Sequence, residues 1–223
     1  MSSREGDLAG GERIAAREGG IPPSCKFVTF EGGEGAGKSS LVVDVAGRLR
    51  GLGCEVVVTR EPGGCLMAER IRELVVGGGP GALDPRAEWL LMLAARIEHV
   101  RGVIRPALAR GAWVLCDRFS GSTVAYQGYG RGLDLAFMAG VHRFVLDGLE
   151  PDRVILLDID PEVGLARALG PNRFEGESLG FHRRVRDGFL ALAREDSRRW
   201  RVVDAHAEQA VVAEAVWREL VMV

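Results

Sequence analysis

The sequence has little excess charge of either sign and no long apolar run. Its formal net charge at pH 7 is −2, so composition gives no reason to expect nucleic acid as a partner. No apolar stretch approaches the length of a membrane span, so we expect no membrane partner either. Hydrophobic residues make up 47% of the chain and charged residues 27%. These proportions are typical of a globular protein that buries a full core.

Cysteine is also scarce. Cys25, Cys54, Cys65 and Cys116 are the four cysteines, and no two of them have C-x-x-C spacing. The sequence therefore predicts neither a disulfide framework nor a zinc site. A chain of this kind fits a reducing, cytoplasmic setting.

The first part of the chain has few apolar residues. Residues 1–21 are polar and glycine-rich and lack the apolar centre of an export signal. We therefore expect a disordered tail over residues 1–22. The remaining residues, 23–223, have the length of one domain.

The sequence does contain a glycine-rich loop between a predicted strand and a predicted helix. Phe27 to Phe30 is a β-branched and aromatic run that is typical of a buried strand. Residues 32–39 then fit the pattern G-x-x-x-x-G-K-[S/T] without a mismatch. In such a loop, backbone N–H groups and a helix N-terminus bind phosphate oxygens, the lysine reaches the β- and γ-phosphates, and the hydroxyl holds Mg²⁺. The residues expected at nucleotide phosphates are Gly32, Gly33, Glu34, Gly35, Ala36, Gly37, Lys38, Ser39 and Ser40.

Two other predicted strands are each followed by a charged pair. The strand predicted over 54–59 leads into Arg60 and Glu61, and the next buried strand leads into Asp117 and Arg118. The carboxyl ends of strands are where open α/β sheets bind ligands, so both pairs are candidate site residues. An Asp that follows an apolar strand near a phosphate-binding loop can act on Mg²⁺ or its waters. For Arg60 and Glu61, a surface salt pair is the alternative.

Two later segments have compositions that indicate a role in ligand binding. Residues 120–132 are rich in hydroxyl and amide groups, which suits hydrogen bonding to a polar ligand. A capped helix with exposed polar residues is the alternative there. Residues 167–176 carry Arg167 and Arg173 and are interrupted by Gly170-Pro171. This pattern is typical of a short mobile lid that closes over phosphates.

The alternation of strands and helices predicts the fold class. Five strand-like segments alternate with helix-like segments over residues 27–221. This order predicts an α/β fold of the P-loop NTPase type, a doubly wound five-stranded parallel sheet with helices on both faces and a short lid.

Together these segments resemble bacterial thymidylate kinase, a family of P-loop nucleoside monophosphate kinases. The resemblance covers residues 27–204 and rests on Phe-Glu-Gly-x-Glu-Gly-Ala-Gly-Lys-Ser, Thr-Arg-Glu-Pro-Gly-Gly, Asp-Arg-Phe, Ala-Tyr-Gln-Gly and Asn-Arg-Phe-Glu. It implies an enzyme that transfers the γ-phosphoryl of ATP to dTMP, giving dTDP and ADP for dTTP synthesis. It also implies a need for Mg²⁺ and a homodimer.

The resemblance implies a role for each residue at the phosphates and the sugar. Arg118 and Arg60 would lie at the acceptor phosphate. Asp117 and Glu61 would face the metal ion or its waters, beside the Ser39 hydroxyl. Glu34 would contact the deoxyribose 3′-hydroxyl, and Tyr126 would fill the ribose 2′ position. The implied catalytic residues are Lys38, Arg60, Asp117, Arg118, Arg173 and Arg167, with Arg173 preferred to Arg167 as the lid arginine.

The resemblance also implies the base site. Arg96 would read the thymine edge, and Ser122 and Thr123 would hydrogen-bond the base. Gln127 belongs to the same expected substrate-binding set. Met92 stands where the family usually has a phenylalanine that stacks on thymine, and a methionine offers less contact area.

Two alternatives remain open at this point. Met92 and a lid with few arginines leave room for a related kinase with another nucleotide or nucleoside acceptor. A non-catalytic nucleotide-binding protein on the same scaffold is the other, although Lys38, Ser39, Asp117 and Arg118 are all present. The sequence lacks the Asn-Lys-x-Asp motif that reads guanine, so we do not expect a switch GTPase.

Overall fold

The structure is a computed structural model that describes residues 26–77, 83–168 and 173–221. The tail predicted over residues 1–22 lies outside the described residues, as do residues 169–172 of the predicted lid. None of the described helices is long and apolar enough to cross a membrane.

The described strands form one parallel sheet with the order β2-β3-β1-β4-β5. The predicted α/β fold with a five-stranded, doubly wound parallel sheet is confirmed. The strands are β1 (Phe27–Gly32), β2 (Val56–Arg60), β3 (Trp113–Asp117), β4 (Arg153–Asp158) and β5 (Trp200–Asp204).

Helices occupy the connections between strands. The long helix predicted from Asp84-Pro85 is interrupted by the wide, π-type turn Val100–Ile104, after which Pro106 lies in the first turn of α4. That position suits proline because the first-turn N–H groups of a helix have no intrahelical partner. A second π-type turn, Val124–Gly130, follows α5. The helices are α1 (Lys38–Gly51), α2 (Leu66–Val76), α3 (Pro85–His99), α4 (Arg105–Ala109), α5 (Ser120–Thr123), α6 (Leu135–Leu146), α7 (Pro161–Arg167), α8 (Leu179–Glu195) and α9 (Gln209–Val221).

The central strand β1 is buried on both faces, as its apolar sequence requires. Side chains alternate along a strand, so Val28 and Phe30 join the core on one face with Val45 of α1. Phe27 joins the core on the opposite face with Ile104. Helices on both faces therefore fix β1, and the loop that follows it starts from a rigid point.

Parallel pairing brings the predicted site segments to one edge. Asp117 at the end of β3 is level with Arg60 of β2 and with Phe30 of β1. Gly32 at the end of β1 is level with Leu157 of β4. The glycine loop and both charged pairs consequently meet at the carboxyl edge of the sheet, where the sequence predicted a ligand site.

Candidate active site

A cavity of about 480 Å³ opens at this edge of the sheet. Its walls come from the glycine loop, the turns after β2 and β3, one side of α3, and residues 167–168 and 174–175. Three predicted site residues, Gly32, Gly33 and Arg173, do not line it. The predicted residues that do line it are Glu34, Gly35, Ala36, Gly37, Lys38, Ser39, Ser40, Arg60, Glu61, Met92, Arg96, Asp117, Arg118, Ser122, Thr123, Tyr126, Gln127 and Arg167.

The glycine loop rests directly on the helix that leads into the lid. Gly35 has a left-handed backbone with φ of 65°, and a Cβ atom built on it would lie 1.8 Å from the carbonyl oxygen of Gly164 in α7. A Cβ atom on Gly164 would in turn lie 2.4 Å from the carbonyl oxygen of Glu34. Side chains at these two positions would force the loop and α7 apart, so both contacts require glycine.

Lys38 lies in the loop with its ammonium group largely buried. Its Nζ donates hydrogen bonds to the carbonyl oxygens of Gly33 at 2.7 Å and Gly32 at 3.2 Å. Burial, with the like charge of Arg118, lowers the pKa of Lys38 to about 8. At pH 7 the side chain is therefore still mostly a cation, and an anion in the loop would stabilise its charged form.

Ser39 and Asp117 place two oxygen ligands side by side in the cavity. The Ser39 hydroxyl donates to Asp117 Oδ2 at 2.5 Å. Hydroxyl and carboxylate oxygens are ligands that Mg²⁺ accepts. No cluster of three or more His, Cys, Asp or Glu side chains suited to a metal occurs in the described part of the chain. This donor set fits Mg²⁺, which usually keeps waters and substrate phosphates as most of its ligands.

Glu34 joins the glycine loop to the turn after β3. Its Oε1 accepts hydrogen bonds from Arg118 Nη2 at 2.9 Å and from the Tyr126 hydroxyl at 2.7 Å. The Arg118 guanidinium also lies 5.1 Å from the centre of the Tyr126 ring. Burial alone would raise the pKa of Glu34, but Arg118 and Lys38 outweigh it and lower the value to about 2. A carboxylate therefore holds this arginine at the centre of the cavity.

Arg96 and Glu61 form a buried ion pair at the other end of the cavity. Arg96 Nε donates to Glu61 Oε2 at 2.7 Å, and Arg96 Nη2 donates to the Thr123 hydroxyl at 2.9 Å. Glu61 Oε1 lies 2.9 Å from His99 Nδ1. The buried Nη1 of Arg96 has no hydrogen-bond partner within the described residues. Because a buried donor without a partner is costly, this group is suited to a ligand acceptor.

The contacts of Glu61 bear on its expected place at the metal, which stays a prediction. Glu61 is 5% exposed, and each of its carboxylate oxygens already contacts a buried side chain. In this structure Glu61 orients Arg96, while Ser39 and Asp117 are the predicted metal residues whose oxygens contact each other.

Comparison with known proteins agrees with these motifs. The chain matches the family model described as thymidylate kinase over residues 30–216. This chain belongs to the thymidylate kinase family. It is 49% identical over 199 residues to the thymidylate kinase of Magnetococcus marinus, which covers 87% of this chain and 95% of that protein. It is 53% identical over 195 residues to that of Thermomicrobium roseum, covering 86% and 92%.

A solved structure supports the same assignment. The crystal structure of thymidylate kinase from Ehrlichia chaffeensis matches with a TM-score of 0.74 and 34% sequence identity. The match covers 88% of this chain and 98% of that one. The family and the fold implied by the sequence motifs are therefore confirmed.

The two lid arginines lie differently from what the sequence led us to expect. Arg173, the preferred lid arginine, does not line the cavity; its Nη2 lies 3.0 Å from the buried Glu88 carboxylate. Arg167 does line the cavity, and it donates to the carbonyl oxygens of Ala205 and His206, both at 2.8 Å. In this conformation Arg167, and not Arg173, contributes to the cavity wall, and which of the two is catalytic stays a prediction. The ion pair between Arg173 and Glu88 joins segments that are distant in sequence, so no local sequence pattern predicts it.

Arg72 is a cavity residue that the sequence reasoning missed. It lines the cavity close to Arg60 and donates to the carbonyl oxygen of Pro62 at 2.9 Å. Arg60 itself pairs with Glu69 at 3.1 Å. Arg72 lies on α2 among other charged residues, and its helical spacing alone does not distinguish it from a solvent-facing arginine.

Glu31 is a second missed residue, and the sequence did carry a signal for it. It is a charged residue inside an apolar strand, and such a residue needs partners when it is buried. Glu31 is 1% exposed and accepts hydrogen bonds from the Phe119 backbone N–H at 3.0 Å and from the Ser122 hydroxyl at 2.6 Å. Both donors follow Arg118 in the chain, and the backbone of Arg118 is left-handed with φ of 67°. Glu31 therefore helps to hold the turn that carries Arg118.

The Glu31 contacts lead to a pH-dependent prediction of stability. Burial raises the pKa of Glu31 above 4.5, so its ionisation in the folded protein lowers the free energy of unfolding as the pH rises above that value. Glu31→Gln, which is always neutral, should be at least as stable as the wild type at pH 7 and should lose this advantage as the pH falls toward 4.5. Glu31→Leu should lose about 1–3 kcal/mol for each group left unpaired.

Urea denaturation of the three proteins between pH 5 and pH 8 measures these differences. Equal destabilisation by Glu31→Gln and Glu31→Leu at pH 7 would show that the carboxylate form itself is required for folding.

Proposed function

We propose that this chain is an ATP-dependent dTMP kinase that transfers the γ-phosphoryl group of ATP to dTMP and gives dTDP and ADP. The observation that carries the proposal is the single cavity in which a phosphate-binding loop faces a second set of arginines and a buried base-reading arginine. Membership of the thymidylate kinase family supports the same activity.

The donor phosphates fit the glycine loop. Lys38 and the N-terminus of α1 supply positive charge there. A second, smaller cavity of about 290 Å³ shares Gly35, Ala36, Gly37 and Arg167 with the main one and continues toward α9. We assign the adenosine end of ATP to this smaller cavity.

The acceptor fits the remaining part of the main cavity. Arg118, Arg60 and Arg72 supply cations for the acceptor phosphate. Glu34 and Tyr126, joined by a hydrogen bond of 2.7 Å, lie where the deoxyribose would be recognised. With a deoxyribose bound there, the ring of Tyr126 would oppose a 2′-hydroxyl, which would favour deoxy substrates.

The base fits beside α3. The unpartnered Nη1 of Arg96 can donate to a pyrimidine carbonyl, and Met92 can pack on the ring. Thr123 is already an acceptor for Arg96, so it holds that arginine, and Ser122 lies beside it in the cavity wall. Gln127 completes the wall of the base site.

Positioning and charge neutralisation account for the chemistry. The acceptor phosphate oxygen is already anionic, so no general base is needed. The cationic side chains oppose the Coulomb repulsion between two anionic nucleotides and hold the reacting atoms in line. Ser39 and Asp117 would hold Mg²⁺, which would neutralise charge on the donor phosphates.

The proposal extends to assembly and compartment. Phe137 and Phe144 on α6 are 66% and 81% exposed, and Leu90 on the neighbouring α3 is 58% exposed. Exposed apolar side chains of this size mark protein contact surfaces, and we propose that a second copy of the chain covers them in a homodimer. Sedimentation as a 24.1 kDa monomer at micromolar concentration would contradict this. The free Cys54, Cys65 and Cys116 suit the reducing cytoplasm that we propose as its compartment.

The first test is acceptor choice. We expect the purified protein, with ATP and Mg²⁺, to release ADP strongly with dTMP and weakly with dUMP. Turnover with UMP, CMP, AMP and GMP should be negligible, because Tyr126 opposes a ribose and Arg96 requires a pyrimidine carbonyl. Lys38→Ala is the control and should abolish turnover with every acceptor.

Two results of the acceptor test would contradict the proposal. A preference for another acceptor would assign the chain a different kinase activity, with the Met92 position as the first place to look. ATP binding with no acceptor-dependent turnover would instead indicate a non-catalytic nucleotide-binding protein.

The lid assignment has its own test. Arg167→Ala should lower kcat on the order of 10³-fold, because an arginine supplied to a phosphoryl transition state contributes about that much. Arg183→Ala is the matched control. Arg183 is an exposed arginine on α8 that pairs with Glu162 of α7, the helix that also carries Arg167, and it does not line the cavity. Single-turnover kinetics at saturating ATP and dTMP measures the effect. Near wild-type kcat in Arg167→Ala, with a large loss in Arg173→Ala, would restore Arg173 as the catalytic arginine.

A further inference from the structure

Glu88, in the first turn of α3, is a fully buried carboxylate that the proposed mechanism does not use. It is 0% exposed. Three side chains from other segments converge on it: Gln127 Nε2 at 2.8 Å, Arg131 Nη2 at 3.1 Å and Arg173 Nη2 at 3.0 Å. Two arginines supply the positive charge that a buried carboxylate needs.

This carboxylate determines which way the Gln127 amide faces. Gln127 is itself 1% exposed and lines the cavity. A carboxylate can only accept hydrogen bonds, so the amide nitrogen must be the end that contacts Glu88. The amide oxygen is then the end left for a ligand, and no described residue donates to it. The two ends of an amide have nearly the same shape, so it is the hydrogen bond to Glu88 that fixes this orientation.

The amide orientation has a consequence for the acceptor base. Thymine and uracil carry a hydrogen-bond donor, N3–H, between their two carbonyl groups. Cytosine has an acceptor at N3. An amide oxygen that faces the base can accept from N3–H, whereas it repels the lone pair of a cytosine N3. The reversed amide would favour cytosine.

The same carboxylate also holds one end of the segment predicted as a lid, through its contact with Arg173. Arg131 bonds Glu177 at 2.6 Å and lies over the rings of Phe181, at 4.8 Å, and Phe174, at 5.9 Å. Phe174 lines the cavity. The Gln127 amide and the C-terminal end of the predicted lid are thus attached to one buried group.

We propose that Glu88 is a positioning residue that sets the acceptor selectivity of the site for a base with an N3–H donor, by fixing the Gln127 amide and tying it to Arg173. The proposal rests on the proposed dTMP kinase function and deepens it. Glu88 does not touch the substrate and acts through Gln127.

The test compares dTMP with 5-methyl-dCMP, which has the same ring and methyl group but an acceptor at N3. Calorimetric Kd values and kcat/KM are measured for both nucleotides in the wild type and in Glu88→Gln. We expect the preference for dTMP to fall by about tenfold or more in the variant, because its uncharged amide allows Gln127 to turn over. The two nucleotides also differ at C4, where thymine has a carbonyl and 5-methylcytosine has an amino group. Arg96 is present in both proteins, so any discrimination that it makes at C4 cancels from the change in preference.

Two further variants separate positioning from a structural role. Glu88→Asp keeps the charge that the two arginines require but withdraws it from Gln127, so it should fold and show a smaller shift in the same direction. Glu177→Gln is the matched control, because it removes the other ion pair of Arg131 without touching Gln127. It should leave the preference unchanged, and the KM for ATP should stay within about twofold in all three variants.

The outcomes are distinguishable. Folded Glu88→Gln or Glu88→Asp with the wild-type preference would overturn the proposal, as would an equal shift in Glu177→Gln. If Glu88→Gln does not fold, the Glu88→Asp result decides. Failure of the wild type to bind dTMP at all would instead overturn the proposed function.

Discussion

The ion pair between Glu34 and Arg118 is the contact on which the cavity depends. The two residues follow adjacent parallel strands, and their side chains are only 15% and 17% exposed. Charges with so little solvent are stable only as a pair with further hydrogen bonds, and the Tyr126 hydroxyl and the Gly32 carbonyl supply them. The pair thereby locks the phosphate-binding loop onto the turn after β3, and it sets the distance between the donor and acceptor halves of the site.

The rest of the site repeats this arrangement of buried polar groups that hold one another. Thr59, His99 and Glu61 form a chain of contacts at 2.6 Å and 2.9 Å that ends at Arg96. Glu31 accepts hydrogen bonds from Phe119 and Ser122 and so holds the turn that carries Arg118. Such networks are rigid because every rearrangement would leave a buried group unpaired. Rigidity is useful here, since phosphoryl transfer depends chiefly on the alignment of two phosphates and on charge placed beforehand.

Most of the fold and of the phosphate site could be predicted because their determinants are local. A β-branched run specifies β1, and glycine, lysine and serine at fixed spacing specify the loop that follows. Parallel pairing then carries Asp117 and Arg118 to the same edge, a consequence of topology that the strand order makes certain. The family resemblance supplied the expected roles at the base, which the residues alone did not reveal.

Contacts between segments distant in sequence are what the sequence does not reveal. Arg173 and Glu61 looked available for phosphate and metal, but each has a buried partner that no periodic pattern announces. No sequence pattern distinguishes Glu88 from a surface acid at a helix start, yet it is fully buried. Glu31 was predictable in principle, since an acid within an apolar strand requires partners.

If one cavity holds the phosphates of both nucleotides across the Glu34–Arg118 pair, a single ligand that joins the two nucleotides should fill it. Calorimetric binding of adenosine and thymidine joined 5′ to 5′ through a pentaphosphate measures this directly. We expect one molecule bound per chain, displacement of both a non-hydrolysable ATP analogue and dTMP, and marked weakening in Arg118→Gln. Displacement of only one of the two nucleotides would mean that they bind apart, and would contradict a shared cavity.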